Sequence, residues 1–230
     1  VAIAPFVALF MIFFKIFFSE RIFLKKLRRL ISWYGLIVVK MLIYPFIKIN
    51  FIDMARKDNI SSCIFVCNHR SASDPFLLSV LPYEIIQIAT TWPFRLPVLG
   101  FMAKIAGYIS IKEIGYDEFS AATEKLLRQG VNLAVFPEGT RSGNNKMGQF
   151  HGAIFRLALK MKCPIVPFCI TGNENIPSKD FLLNPGRINI RKLKAIHYDE
   201  YKDMNSFKLK NYVRNIIIRE TAQMEDEEGI

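Results

Sequence analysis

The sequence predicts an α/β fold, with a mixed, largely parallel sheet flanked by helices and an N-terminal membrane-associated helical segment. Two observations carry this. From residue 60 onward, short apolar runs alternate with helix-periodic stretches, the pattern of a layered sheet-and-helix domain. Before that point the chain is much greasier and more basic: residues 1–60 hold +7 of the total charge of +11.

Residues 1–18 read VAIAPFVALFMIFFKIFF, interrupted only by Lys15. As a helix this run spans about 27 Å, close to the hydrocarbon thickness of a bilayer. A lysine near one end can snorkel to the headgroups. A cleaved signal peptide fits less well, because no small-residue cleavage site follows. Arg21, Lys25, Lys26, Arg28 and Arg29 come next, and the positive-inside rule puts them on the cytoplasmic side. Residues 31–52 form a second apolar stretch with Lys40, Pro45 and Lys48, and with Trp33, Tyr34 and Tyr44 for the interface. The expectation is a helix or helix pair lying in the interface. A second membrane-crossing helix is the alternative. Cys63, Cys67, Cys163 and Cys169 lie in apolar strand-like runs, which suits reduced thiols in a cytoplasmic domain and argues against that crossing.

Expected strands are residues 63–67, 85–89, 108–111, 131–136, 165–170 and 187–190. Expected helices are 75–81, 98–106, 117–129, 149–161 and 206–223. The last has Leu209, Tyr212, Val213, Ile216 and Ile217 at helical spacing. Residues 225–230 read as a short acidic tail that frays.

Composition removes several function classes. Charged residues make up 22% of the 230, too ordinary a share with 51% hydrophobic residues for a disordered chain. Four cysteines are too few for a disulfide scaffold. The basic excess suits nucleic acid, a membrane surface or an anionic substrate. Its concentration in the apolar N-terminal part favours a membrane surface over nucleic acid. No phosphate-binding P-loop, zinc helix, dinucleotide fingerprint or Gly-x-Ser-x-Gly elbow occurs.

In α/β sheets, sites gather in the loops beyond strand ends. Two such loops stand out. The first is Asn68-His69-Arg70-Ser71-Ala72-Ser73-Asp74-Pro75, and the second is Phe136-Pro137-Glu138-Gly139-Thr140-Arg141-Ser142. His69 and Asp74 admit two readings. Asp74 is a good helix N-cap ahead of Pro75. It could also orient His69 as a general base. In the second loop, Gly139 permits an unusual backbone conformation and Arg141 offers a planar fork suited to phosphate. A solvated ion pair on a surface turn is the bland alternative.

Together, these loops resemble the motifs of the glycerolipid acyltransferase family, whose members include the 1-acyl-glycerol-3-phosphate acyltransferases. Asn68-His69, four residues and Asp74 resemble its first motif. Phe136 to Ser142 resemble a later one, and Pro164-Ile165-Val166-Pro167 resemble a fourth. The likeness covers roughly residues 60–200. It implies three regions: membrane-anchoring or interfacial helices in 1–55, an acyltransferase domain in 56–224 and an acidic tail in 225–230.

The resemblance implies a membrane-bound O-acyltransferase. It would move a fatty acyl group from acyl-CoA or acyl-carrier protein to the free hydroxyl of a lysophospholipid. The foremost acceptor is 1-acyl-glycerol 3-phosphate, giving phosphatidic acid. Another lysolipid, such as a lyso-aminolipid, is the alternative acceptor. A catalytically idle membrane-binding module is the alternative from a different class. By the same resemblance His69 is the catalytic base and Asp74 its orienting carboxylate. Glu138, Gly139, Thr140 and Arg141 would hold the acceptor head group, and Lys112 would assist with its phosphate. Lys112 stands where the family usually has Arg. Thr90, Thr91, His151 and Gly152 stand near positions where family members often have lysines, so phosphate contacts are thinner here. No metal or cofactor is implied beyond the thioester co-substrate. The partners implied are a membrane lipid, a thioester donor and an anionic membrane surface, with no nucleic acid.

Overall fold

Seven strands form one mixed sheet in the order β1-β7-β6-β2-β5-β3-β4 in the computed structural model of the chain. It describes residues 19–42, 46–55, 62–89, 99–110, 114–144, 146–177 and 184–228. The strands are β1 (Ile47–Asp53), β2 (Ile64–Cys67), β3 (Ile85–Ala89), β4 (Ile109–Ser110), β5 (Asn132–Val135), β6 (Ile165–Thr171) and β7 (Gly186–Lys192). Every pairing is parallel except β6 with β7. The expected α/β class, with a mixed, largely parallel sheet, is therefore observed. Central strands β2, β5 and β6 are buried on both faces, as parallel strands covered by helices must be.

Side chains alternate across the sheet and divide the core in two. Ile64, Val66, Leu133 and Val135 face one layer. There they meet Phe119 and Leu127 of α4 (Tyr116–Arg128), Phe155 and Leu157 of α5 (Ala153–Met161), and Leu209, Val213 and Ile217 of α7 (Ser206–Glu228). Phe65, Cys67, Val166, Phe168 and Ile170 face the other layer, under Leu77 of α2 (Asp74–Leu77) and Leu78 of the 3₁₀ turn Leu78–Val80. Two helices pack on each other beside the sheet, α1 (Glu20–Ile37) and α3 (Leu99–Ala106), through Phe23, Leu27, Met102 and Ala106. A short helix, α6 (Tyr198–Tyr201), precedes α7.

The N-terminal part differs from expectation. A helix runs over Glu20–Ile37 and a π-helical turn over Val38–Leu42, but Ile47–Asp53 is an edge strand. Residues 31–52 are therefore not a helix or helix pair. Ile47, Ile49 and Phe51 alternate with Lys48 and Asn50, the period of a strand, and β1 pairs in parallel with β7 from Ile47↔Gly186 to Asp53↔Lys192. The basic run divides as well. Arg28 is buried and donates to the Ala106 carbonyl at 2.8 Å and to Glu84 at 2.7 Å. Arg21 donates to the Gln129 carbonyl at 2.7 Å. Lys25, Lys26 and Arg29 remain exposed. Among the described residues, no helix is long and apolar enough to cross a membrane, and residues 1–18 lie outside that set.

The acidic end is also ordered differently. Helix α7 continues to Glu228, with Glu225 paired to Arg70 and Glu227 to Arg191. Those ion pairs hold the end that was expected to fray.

Candidate active site

Strands β6, β2 and β5 are parallel neighbours, so their C-terminal ends lie side by side at one edge of the sheet. The loops they feed carry Asn173, then His69 with Asp74, then Glu138 to Arg141. Asn68 closes β2 onto β6 in both directions. Its amide donates to the Ile170 carbonyl and accepts from the Ile170 N–H, both at 2.8 Å.

The structure brings His69 and Asp74 together. His69 Nδ1 lies 2.8 Å from Asp74 Oδ2. The same oxygen accepts the backbone N–H of Arg70 at 2.7 Å and of Ser71 at 2.9 Å. Asp74 is fully buried, whereas the His69 side chain keeps 17% exposure. The carboxylate thus acts in the loop and on the imidazole at once. With Nδ1–H donating to it, Nε2 is the free basic nitrogen of His69. The ring also packs against Phe136, with centroids 4.6 Å apart.

The second loop grips the first through the backbone of one residue. Glu138 Oε1 accepts the His69 N–H at 2.7 Å, and the Ser142 N–H donates to the His69 carbonyl at 2.8 Å. The other oxygen of Glu138 accepts the Gly148 N–H at 2.7 Å. Glu138 was expected at the head group, but both its oxygens are engaged by backbone and the residue is buried. Burial pushes its carboxyl above the usual carboxylate value, against the lowering effect of the two N–H donors.

Gly139 has φ +71°, and a Cβ there would sit 3.1 Å from the His151 ring. Only glycine suits such a backbone beside that imidazole. His151 is held by its own N–H on the Pro137 carbonyl at 2.8 Å. This bond explains why the helix expected from residue 149 begins at Ala153: residues 149–152 complete the loop. Thr140 and Arg141 are exposed, and no ion pair to Arg141 occurs among the described residues. Lys112 lies outside the described residues.

A cavity of about 570 Å³ opens at His69, within the range of ligand pockets. His69, Gly139 and His151 stand at one part of its wall, with Arg156 of α5. Elsewhere the wall is mostly apolar, from Phe76 and Leu78 to Ile85 and Ile88 of β3, Ala103 of α3 and Phe119. Helix α1 adds Ile31, Tyr34 and Gly35. Gly35 lets that helix cross the 3₁₀ turn closely, since a Cβ would fall 2.1 Å from Ser79 Oγ. The four cysteines are buried, and burial pushes Cys63 and Cys163 up to about 12, so neither supplies a thiolate at neutral pH.

Sequence reasoning did not single out Asn173, Gly148 or the inward role of Arg70. Asn173 carried a usable signal: it lies in Thr171-Gly172-Asn173-Glu174, just past the end of a long buried strand, where the first two loops also lie.

The Acyltransferase family model matches residues 48–171, more than half of the chain. Among curated relatives, the chain is similar to a 1-acyl-sn-glycerol-3-phosphate acyltransferase of Brassica napus, 30% identical over 165 residues. That match covers 67% of this chain and 47% of that protein. It is also similar to the alpha 1-acyl-sn-glycerol-3-phosphate acyltransferase of Mus musculus, 32% identical over 58% of this chain and 49% of that one. The chain spans about half the length of these relatives. In fold it is similar to the crystal structure of the 1-acyl-sn-glycerophosphate acyltransferase PlsC of Thermotoga maritima. The TM-score is 0.77 at 20% identity, covering 97% of this chain and 92% of that one.

Proposed function

The chain belongs to the Acyltransferase family, and from that premise we propose that it is a membrane-bound O-acyltransferase acting on a lysophospholipid. The observation that carries the reading is the His69–Asp74 pair set at the opening of a largely apolar cavity. The acyl chain of a thioester lies in that cavity, where each methylene withdrawn from water contributes about 0.8 kcal/mol.

His69 Nε2 takes the proton from the acceptor hydroxyl as its oxygen attacks the thioester carbonyl carbon. The C–O bond forms and the C–S bond breaks. The thiolate leaves and takes the proton back from the imidazolium. Asp74 holds the tautomer and stabilises the charged ring while the proton resides there. No acyl-enzyme is needed. Arg141, exposed and unpaired among the described residues, meets the anionic head group of the acceptor beside Thr140 and Gly139. Lys112 assists it. Glu138 positions the His69 loop. The acceptor is 1-acyl-glycerol 3-phosphate, by analogy with the named relatives. The donor is acyl-CoA or an acyl-carrier protein, and the chain works at the cytoplasmic face of a membrane with anionic lipid.

The test is transfer by detergent-solubilised protein from both thioester types to a panel of labelled lysolipids, with His69→Ala beside the parent. Phosphatidic acid from the parent and a loss of roughly 10²–10⁴-fold in the variant are expected. Equal transfer by both proteins would remove His69 from the mechanism. Transfer confined to a lysolipid without a phosphate monoester would replace the acceptor.

A further inference from the structure

Asp74 Oδ2 is committed to His69 and to two backbone N–H groups. Its other oxygen, Oδ1, points to a different element. Asn173, two residues past β6, is wholly buried and donates its Nδ2 to Asp74 Oδ1. The same Nδ2 reaches Ser73 Oγ at 3.2 Å. Its own carbonyl, Oδ1, is buried without a protein partner among the described residues. A buried amide normally satisfies both ends. Turning this one over would set its oxygen against a carboxylate oxygen, so the donor must face Asp74.

A second link fixes the same two loops to each other. Glu174, the next residue, pairs with Arg70, and Arg70 pairs at the same nitrogen with Glu225 of α7. Arg70 is buried and belongs to the loop of His69, where its own N–H donates to Asp74. Ser71 and Ser73 hydroxyls both donate to the Ile176 carbonyl, at 2.7 and 2.8 Å, a third tie between the loops. The arrangement needs all three neighbouring strands: β2 delivers the base and its carboxylate, β5 the grip on His69, and β6 the amide.

We propose that Asn173 is a positioning residue for acyl transfer: its amide holds the Asp74 carboxylate so that Oδ2 faces His69 Nδ1. The proposal rests on the reading of His69 as the base. The charged and titratable groups around Asp74 are His69, Arg70, Glu138 and the Cys67 thiol, with Glu174 and Glu225 beyond Arg70. Among the described residues, the hydrogen bond to Oδ1 comes from Asn173 and from none of these groups.

The experiment uses the full chain in detergent with Asn173→Ala and Asn173→Asp. Kinetics and thermal melts are recorded at each pH, and the His69 ring N–H is followed by proton NMR. Asn173→Ala should lower kcat on the order of ten- to a hundredfold, the effect typical of groups that orient a functional side chain. Both KM values should stay within about twofold. The His69 Nδ1–H resonance should move upfield as its carboxylate partner loosens. Asn173→Asp places two carboxyls in contact, and like charges so close share one proton. While protonated, the introduced carboxyl donates to Asp74 as the amide does. As pH rises and the pair loses that proton, the contact turns repulsive. The variant should therefore work at the acid end of the parent's range and lose kcat toward alkali while still folded.

Unchanged kcat and an unmoved His69 resonance in Asn173→Ala would overturn the proposal. So would an Asn173→Asp profile that is only the parent's scaled down. If both variants fail to fold at every pH, Asn173 belongs to the fold alone and the proposal falls. Failure of the wider reading shows separately, as full activity in His69→Ala, and the NMR readout needs no substrate.

Discussion

At His69 the backbone is held at both ends by the second loop, through Glu138 on its N–H and Ser142 on its carbonyl. The imidazole, bonded to Asp74 and packed on Phe136, is therefore also placed by two residues that hold only its backbone. Glu138→Gln tests this. The amide keeps one acceptor oxygen and turns an NH₂ toward a backbone N–H of Gly148 or His69. One donor loses its partner, which costs about 1–3 kcal/mol. The pH dependence has a definite sign. The folded chain keeps the Glu138 proton to higher pH than the unfolded chain. Stability from this group therefore falls as pH rises from the ordinary carboxylate value through the raised one, and is level above it. Thermal melts across that window should show a lower Tm for the variant and the loss of that slope. A parent-like Tm with a raised acceptor KM would instead return Glu138 to the head group. Arg141 is the contrasting case, exposed and unpaired among the described residues. Arg141→Lys keeps the charge and loses the planar fork. Its acceptor KM should rise several-fold, with the thioester KM unchanged. An equal loss toward both substrates would make the residue structural.

At the scale of elements, α1 crosses the 3₁₀ turn closely at the cavity wall, because Gly35 faces Ser79. Gly35→Ala puts a methyl where Ser79 Oγ sits. Ser79 Oγ can rotate away, but its Cβ would still lie 3.2 Å from the methyl. Overpacking of about 1–3 kcal/mol is therefore set against the roughly 1 kcal/mol that Ala gains over Gly in a helix. Since Ile31 and Tyr34 on the same helix line the cavity, the variant should also lose activity toward long-chain donors more than toward short ones. A variant with parent-like Tm and chain-length preference would show that α1 yields without disturbing the cavity. Helix α1 is also where the sequence was least legible. The doubly buried strands β2, β5 and β6 announce themselves as short apolar runs, and the two motif loops follow directly from their ends. By contrast, the strand Ile47–Asp53 lies within a long apolar stretch, and its period of two is averaged away there. Arg28 reads as one more lipid-facing cation, because only its distant partners Glu84 and Ala106 turn it inward. Asn173 and Glu225 reach the site across about a hundred and about a hundred and fifty residues of sequence, respectively. Contacts at that separation are set by strand order, which spacing along the chain does not encode.

At the scale of the whole molecule, one helix, α1, joins the apolar cavity to the basic N-terminal part. Helix α1 walls the cavity with Ile31, Tyr34 and Gly35, while its outer face carries Lys25, Lys26 and Arg29 with the exposed side chains of Ile22 and Trp33. Arg21 and Arg28 are engaged by the domain, so these three are the α1 cations that the proposed membrane attachment would use. Near an anionic surface each contributes on the order of 1 kcal/mol. Replacing all three with Ala should therefore weaken partitioning onto vesicles containing anionic lipid by roughly a hundredfold, provided the residues before Glu20 do not dominate. Vesicle sedimentation at two salt concentrations reads this directly, since an electrostatic attachment weakens with salt. The fold should stand, because all three side chains are exposed. Transfer to a long-chain acceptor embedded in those vesicles should fall with the binding. Transfer to a monomeric short-chain acceptor should not. If both acceptors fall together, the basic face serves the chemistry and not the membrane. If neither falls and binding is unchanged, attachment rests on the segment before α1, and the outer face of that helix has no part in bringing lipid to His69.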